Sequence, residues 1–187
     1  LGAYPGSDPQ SLGMLGMHGT YEANMTMHET DLIFALGARF DDRVTNNPDK
    51  FSPKATIVHL DVDSASVDKI VRSDIALVGD AGWALNALWD AYQVRDAERD
   101  AAEKEKQQQD RAKWWEQIEQ WRSAHGLNHN MQPAEGQSIL PQLAVQTLYR
   151  VTKGDAFVTS DVGQHQMFAA QYYHFDEPRR WINSGGL

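Results

Sequence analysis

The sequence contains no cysteine among its 187 residues, which excludes a disulfide framework and a zinc site built on thiolates. This composition fits a reducing cytoplasm, where we expect the protein to reside. No apolar run approaches the roughly 18 residues that cross a bilayer, and the first residues show no signal-peptide pattern. Acidic side chains outnumber basic ones, and the formal net charge of −9 argues against a nucleic acid or an anionic membrane surface as a partner.

Two familiar sequence signatures are also missing. There is no G-x-G-x-x-G element, which argues against an ordinary dinucleotide-binding loop. Ser160, Asp161 and His165 have the residue types of a hydrolase triad, but no G-x-S-x-G elbow accompanies them and their order is wrong for that chemistry. The function therefore has to be sought in other motifs.

Short apolar runs alternate with segments of helical spacing along the chain. Strands are predicted for residues 31–36, 55–60, 75–78 and 156–160. Helical patterns lie between them, as at residues 21–30. Strands separated by helices imply βαβ units, so the predicted fold class is α/β with a parallel sheet.

Composition divides the chain into three predicted ranges. Residues 1–95 form a first α/β unit, and residues 96–130 form a helical, charged connector. Residues 131–187 begin a second unit, in which Ser138 is predicted to cap the first helix.

The connector itself has two parts. Residues 96–113 carry many charges and no large apolar side chain, which predicts a solvated helix. Trp114, Ile118 and Trp121 then follow at helical spacing, which is typical of a helix that docks on a core.

The predicted strand ends are the first candidates for a site, because ligands of open parallel sheets bind beyond the carboxyl ends of the strands. These ends carry Gly37-Ala38-Arg39, Asp61-Val62-Asp63, Gly79-Asp80 and Ser160-Asp161-Val162-Gly163. Glycine permits close approach of a ligand to the backbone, and a strand-end aspartate can accept the hydroxyls of a ribose. Their succession favours a nucleotide with a diphosphate over turn chemistry alone.

A metal site is the weaker interpretation of the same region. His59, Asp61 and Asp63 alternate onto one face of a strand, as metal ligands can. No other ligand cluster accompanies them, so we predict no metal site within this sequence.

Two further motifs allow more than one interpretation. Arg39, Asp41, Asp42 and Arg43 form either a salt-bridge cluster facing solvent or an arginine fork that grips a phosphate or carboxylate. His18 lies between two glycines, which indicates a backbone that a flat or charged ligand approaches closely, although a lone histidine is more often structural.

Taken together, these motifs closely resemble the acetolactate synthase (acetohydroxyacid synthase) family, the catalytic large subunits of a group of thiamine-diphosphate enzymes. The resemblance covers essentially the whole chain apart from the connector, and it rests on Leu15-Gly16-Met17-His18-Gly19-Thr20, Gly37-Ala38-Arg39-Phe40-Asp41-Asp42-Arg43, Asp161-Val162-Gly163-Gln164-His165-Gln166-Met167 and Asn183-Ser184-Gly185-Gly186-Leu187. It implies an internal piece of the enzyme: the rear of a Rossmann-like central FAD-binding domain, then the opening of a C-terminal α/β domain that binds thiamine diphosphate.

The resemblance also implies roles for particular residues. It assigns FAD contact to Leu15, Gly16, Met17, His18, Gly37, Ala38, Arg39, Phe40, Asp41, Asp42, Arg43, Asp61, Val62, Asp80 and Ala81. It assigns thiamine diphosphate contact to Val162, Gly163, Gln164 and His165, and a border of the substrate channel to Met17, Asp42 and Arg43.

The family chemistry is decarboxylation of pyruvate and ligation of the hydroxyethyl unit to a second 2-oxo acid, on the route to valine, leucine and isoleucine. The resemblance places the catalytic glutamate before Leu1 and the Mg²⁺ ligands after Leu187. We therefore expect no catalytic residue in this sequence and no turnover by it alone. Expected partners are small 2-oxo acids, further catalytic subunits in a homodimer or tetramer, and a small regulatory subunit.

Two other functions remain open at this point. Another thiamine-diphosphate carboligase or oxidase, such as glyoxylate carboligase or pyruvate oxidase, would share most of these motifs. A non-catalytic flavin-binding module is the more distant alternative. The sequence also departs from the family at Asn46, where glycine is usual, but asparagine tolerates a left-handed backbone and should preserve the turn.

Overall fold

The computed structural model describes residues 1–127 and 131–184. Its helices and strands are α1 (Tyr21–Glu29), β1 (Leu32–Leu36), α2 (Asp42–Thr45), β2 (Thr56–Asp61), β3 (Ile75–Val78), α3 (Ala81–Glu98), α4 (Ala101–His125), α5 (Pro141–Thr152), β4 (Val158–Ser160), α6 (Gln164–Tyr172) and β5 (Trp181–Asn183). The predicted end of the connector at 128–130 and the last three residues of the terminal motif lie outside the described residues.

The chain divides into two compact units by its contacts. Residues 25–121 form the sheet unit, and residues 1–24 together with 122–187 form the turn unit. These packing units are not the sequence ranges proposed above, whose boundaries at 95 and 130 stay a prediction.

The sheet unit is built on three parallel strands in the order β1-β2-β3. β1 and β2 pair from Leu32 with Thr56 to Leu36 with Leu60, so the two strands end level with each other. The predicted α/β class with a parallel sheet is thus confirmed. The three strands lie within one residue or two of their predicted bounds because each is a short, mainly apolar run closed by Gly or Asp.

One face of this sheet carries the core of the unit. Ala35 and Ile57 pack with Phe40 and Val71 as a buried hydrophobic cluster. Residues of β1 on the other face, such as Phe34, are exposed. The segment that follows β1 is therefore fixed to the core through its one buried aromatic ring, Phe40.

Most of the charged segment is helical, but in two helices rather than the one predicted for residues 96–113. α3 ends at Glu98, and α4 begins at Ala101, where the carboxylate of Asp100 accepts the N–H of Glu103 at 2.8 Å. Residues 101–113 are exposed apart from Gln107, whereas Ile118 is buried, which confirms a solvated helix that docks at its second half. Within the described ranges, no helix has the length and apolar character needed to cross a membrane.

The turn unit contains a two-stranded parallel pair, β4 with β5, and the helices α5 and α6. Ser138 is not the cap of α5, so that prediction was wrong. Leu140 occupies the N-cap position without a side-chain hydrogen bond, and Pro141 begins the helix. Proline suits this first position because its fixed φ is already helical and its missing N–H would have no partner in the helix.

Candidate functional site

The ends of the three strands in the sheet unit lie at one edge. The N–H of Gly37 donates to the carbonyl of Leu60 at 2.8 Å, and the N–H of Gly79 donates to the carbonyl of Asp61 at 3.0 Å. The structure thus brings together the segments that begin at Gly37, Asp61 and Asp80, as the parallel register requires.

The two aspartates at this edge are partly committed to local turns. Asp61 accepts the N–H of Asp63 at 2.8 Å, and Asp80 caps α3 by accepting the N–H of Trp83 at 2.8 Å. This is the turn chemistry that competes with a ligand-binding interpretation. Gly37 differs, because it has a φ of +58° and no atom lies within 4 Å of the position that a Cβ would occupy. Its backbone is therefore open to a ligand.

The segment after Gly37 is organised around one carboxylate. Asp41 is the N-cap of α2 and accepts the N–H of Arg43 at 3.0 Å. The guanidinium of Arg43 reaches the same carboxylate at 3.2 Å, and that of Arg39 forms an ion pair with its other oxygen. These contacts lower the pKa of Asp41 to about 2. The hydrogen bond from the backbone N–H of Arg43 contributes most to the lowering, and Asp42 and the two guanidiniums contribute less.

Both guanidiniums remain accessible although Asp41 holds them. The side chain of Arg39 is 73% exposed and that of Arg43 is 61% exposed. The cluster is therefore a salt-bridge network that also presents two fixed cations to solvent. This arrangement accommodates both interpretations drawn from the sequence, and it leaves the arginines able to bind a phosphate or carboxylate.

Two backbone features hold this segment in place. Phe40 has a φ of 51° and lies buried with its ring edge-on to His59, at 5.0 Å between centroids. Asn46 ends α2 with a φ of 53°, and its N–H donates to the carbonyl of Asp42 at 2.8 Å. The positive φ agrees with the expectation that asparagine tolerates such a backbone at this position.

The loop at 12–20 in the turn unit is held by several hydrogen bonds. Asn24 clamps Gly16, since its Oδ1 accepts the Gly16 N–H at 2.8 Å and its Nδ2 donates to the Gly16 carbonyl at 2.9 Å. Thr20 donates its hydroxyl to the carbonyl of Leu12 at 2.7 Å. A Cβ at Gly19 would lie 2.4 Å from the carbonyl oxygen of Met14, so only glycine fits.

This fixed loop presents an apolar side chain to solvent. Met17 is 72% exposed, while the backbone on both sides of it is anchored. The side chain of Met17 is therefore accessible to a ligand, while its backbone is held in place. The loop anchors at Asn24 and Gln171 were not found from the sequence, since no local pattern marks either partner.

The turn between β4 and α6 has its own glycine requirement. Gly163 is the N-cap residue of α6, and a Cβ there would lie 2.7 Å from Cε1 of the His165 ring. No side chain caps the helix, and Gln164 and His165 are exposed at its start. The N-terminus of a helix attracts anions, so this turn can accept a phosphate.

The neighbouring polar groups do not form a hydrolase triad. The hydroxyl of Ser160 donates to the carbonyl of Asp161 at 3.0 Å, and the carboxylate of Asp161 accepts the N–H of Val162 at 2.7 Å. Both groups are thus engaged with the backbone next to them.

The sequence-predicted residues fall into sets within each unit. The sheet unit holds residues 37–43, 61–62 and 80–81, and the turn unit holds residues 15–18 and 162–165. Across residues 1–127 and 131–184, no group of three or more His, Cys, Asp or Glu side chains could hold a metal ion.

Two parts of the chain match known families of protein domains. Residues 1–88 match the thiamine pyrophosphate enzyme central domain, and residues 161–187 match the thiamine pyrophosphate enzyme C-terminal TPP binding domain. The chain therefore belongs to the thiamine pyrophosphate enzymes.

Within that class, the whole chain is homologous to acetolactate synthase large subunits. It is 54% identical to the acetolactate synthase isozyme 3 large subunit of Escherichia coli (strain K12), covering 100% of this chain and 31% of that protein. It is 50% identical to the large subunit of Haemophilus influenzae, over 100% of this chain and 30% of the relative. It is 40% identical to acetolactate synthase 1, chloroplastic, of Nicotiana tabacum, covering 100% of this chain and 26% of that protein. The chain thus spans about a third of these relatives or less, and the resemblance drawn from its motifs is confirmed.

Proposed function

We propose that this chain is part of an acetolactate synthase catalytic subunit, a transferase that decarboxylates pyruvate and joins the two-carbon unit to a second 2-oxo acid. The observation that carries the proposal is the identity of up to 54% along the entire chain with proteins of that name. The product would enter the biosynthesis of valine, leucine and isoleucine.

Thiamine diphosphate would be held by Val162, Gly163, Gln164 and His165. The uncapped start of α6 supports this assignment, because its N–H groups face the side that an anion prefers. Gln164 and His165 are exposed beside it and supply neutral hydrogen-bonding groups. The bound cofactor supplies the electron sink for decarboxylation, while these residues bind and orient it.

FAD contacts are proposed for each unit separately, on the sheet edge of one and on the Met17 loop of the other. In the sheet unit, open space over Gly37 and the exposed guanidiniums of Arg39 and Arg43 support binding of a diphosphate. In the turn unit, the clamped backbone around Gly16 supports a close approach by a flat ring. We propose that FAD contacts residues 15–18, 37–43, 61–62 and 80–81.

A role at the border of the substrate channel is proposed for Met17 in the turn unit and, separately, for Asp42 and Arg43 in the sheet unit. Met17 is 72% exposed, and the side chains of Asp42 and Arg43 are 84% and 61% exposed, so each can meet a ligand from solvent. A cationic arginine and an apolar thioether suit the carboxylate and the methyl group of a small 2-oxo acid.

Mg²⁺ binding and activation of the cofactor would depend on other parts of the full-length protein. The Mg²⁺ ion would be ligated, and the cofactor activated, by residues outside this sequence. We further propose that the full-length protein forms a homodimer or tetramer of catalytic subunits, binds a small regulatory subunit and resides in the cytoplasm.

Product analysis of the full-length protein tests this function. Purified protein supplied with thiamine diphosphate, Mg²⁺, FAD and pyruvate should release CO₂ and acetolactate without consuming oxygen. Pyruvate-dependent oxygen uptake would instead show a pyruvate oxidase, and turnover of glyoxylate but not pyruvate would show a glyoxylate carboligase. Bound flavin without any of these reactions would show a binding module.

A further inference from the structure

Gln171 forms a contact that the proposed function does not yet use. Its Nε2 donates to the backbone carbonyl of His18 at 2.8 Å, in a partly buried position that joins residues 153 apart in sequence. The residue lies in the last turn of α6, the helix that starts at the Gly163 turn. One helix therefore touches both the turn and the loop.

Helix α6 fixes the distance between the turn at its start and Gln171 near its end. Gln164 and Gln171 are separated by about 10 Å of helix, at a rise of roughly 1.5 Å per residue, and the helix keeps that spacing as a rigid rod. Its C-terminal end is anchored by Ala170 and Tyr172, which are both buried. Gln171 therefore keeps a fixed position relative to the turn.

The loop, in turn, is held at both ends by amide side chains. Asn24 clamps the Gly16 peptide at one end, and Gln171 holds the His18 carbonyl at the other. Met17 lies between the two anchors and is exposed. The anchor at Gly16 comes from α1, whereas the anchor at His18 comes from α6. Only the second is attached to the thiamine diphosphate turn.

We propose that Gln171 is a positioning residue that couples the two cofactors: it links the turn that holds thiamine diphosphate to the loop that contacts FAD, so that each cofactor strengthens the binding of the other. This inference rests on the proposed function. It requires that the loop is held better when the turn is occupied, and reciprocity then demands the same effect in the other direction.

The size of the effect is set by one hydrogen bond. A net contribution of about 0.5–1.5 kcal/mol corresponds to a roughly 2- to 13-fold change in an equilibrium constant. Removal of the Gln171 amide should therefore reduce the coupling factor between the cofactors by about that amount, with little effect on either cofactor measured alone.

Calorimetric titration of the full-length protein tests the inference, with Mg²⁺ present throughout. The dissociation constant of thiamine diphosphate is measured on flavin-free protein and again with saturating FAD, and the ratio gives the coupling factor. Gln171→Leu removes the donor at similar volume, and Gln171→Glu keeps the length and polarity but has no N–H to donate at neutral pH. Gln108→Leu, at an exposed position of α4, is the matched control.

We expect a coupling factor of about 5 or more in the wild-type protein and in Gln108→Leu, and a clearly smaller factor in both Gln171 variants. If the variants bind both cofactors with the wild-type ratio, the inference is overturned while the proposed function stands. A lower melting temperature with an unchanged ratio would show a merely structural contact and would overturn it equally. Failure of the wild-type protein to bind either cofactor would overturn the proposed function itself.

Discussion

The carboxylate of Asp41 accepts both the backbone N–H of Arg43, at 3.0 Å, and the guanidinium of Arg43, at 3.2 Å. One residue thereby caps a helix and orients a cation. Arg39 pairs with the same carboxylate, so the two guanidiniums that could bind a diphosphate are fixed before any ligand arrives. Such preorganisation lowers the entropy cost of binding.

Arg39→Ala should weaken FAD binding to the full-length protein. The loss of a charge-assisted hydrogen bond to a diphosphate corresponds to about 1.5–3 kcal/mol, or a roughly 10- to 150-fold higher dissociation constant. Fluorescence titration of the flavin measures this. Arg111→Ala, on the exposed face of α4, is the control and should bind FAD as the wild type does. Equal affinity in both variants would contradict the assignment of Arg39.

Asp41→Asn should destabilise the protein at neutral pH and less so in acid. The pKa of Asp41 is lowered to about 2 in the folded state, so its stabilising effect is complete above the unfolded value of about 3.9 and fades as the pH falls towards 2. Asparagine can keep the N-cap hydrogen bond but loses the negative charge that faces the helix N-terminus and the two guanidiniums, which predicts a melting temperature about 1–4 °C lower at pH 7.

Melting curves of the wild type and of Asp41→Asn between pH 7 and pH 3 measure this difference. The gap between the two proteins should narrow below pH 4. Asp90→Asn, exposed on α3, should show no gap at either pH. A gap for Asp41→Asn that widens in acid would have the wrong sign for a carboxylate with a lowered pKa.

Gly163→Ala should impair thiamine diphosphate binding by displacing His165. The added methyl group would lie 2.7–2.8 Å from the ring, closer than real Cβ contacts, so the ring has to move. Gly136→Ala is a matched control, because Gly136 also has a positive φ but no atom lies within 4 Å of its Cβ position. We expect a thiamine diphosphate dissociation constant about tenfold higher for Gly163→Ala alone. Equal effects in both variants would show that backbone strain, rather than the ring contact, is responsible.

Limited proteolysis of the full-length protein tests the proposed domain ranges. Trypsin should cut first at Lys104, Lys106, Arg111 or Lys113, because this part of α4 is exposed and lacks a hydrophobic face. Mass spectrometry of the first products identifies the sites. A parallel digest with chymotrypsin probes the strands, because residues 31–37 and 156–160 contain no Lys or Arg but do contain Phe34 and Phe157. Cleavage there before the α4 sites are cut would contradict both the boundaries and the strand assignments.

Local signals account for the parts of the fold that the sequence predicted. The strands of the sheet unit were found because each apolar run stops at a glycine or an aspartate, and those residues then mark the open edge. Asn46 could be placed in a left-handed turn because few other residues tolerate one. The role of Asp41 as a cap was not predicted, and the sequence left the cluster open between salt bridges facing solvent and an arginine fork.

The parts that were missed depend on contacts between distant residues. α6 was not predicted, since its segment has no regular apolar stripe, and β5 has only three residues. Ser138 was chosen as a cap by residue type, whereas Pro141 determined where the helix starts. The bond from Gln171 to His18 spans 153 residues, and no spacing in the sequence could indicate it.

Titration of the full-length protein with thiamine diphosphate is the most direct test of the central claim, that the turn before α6 holds this cofactor. Gln164→Ala and His165→Ala should each raise the dissociation constant roughly tenfold, the loss expected for one or two hydrogen bonds to a charged group, and saturating cofactor should restore much of the rate. Gln108→Ala should bind like the wild type. Wild-type affinity in both turn variants, or activity lost at every cofactor concentration with affinity unchanged, would contradict the account.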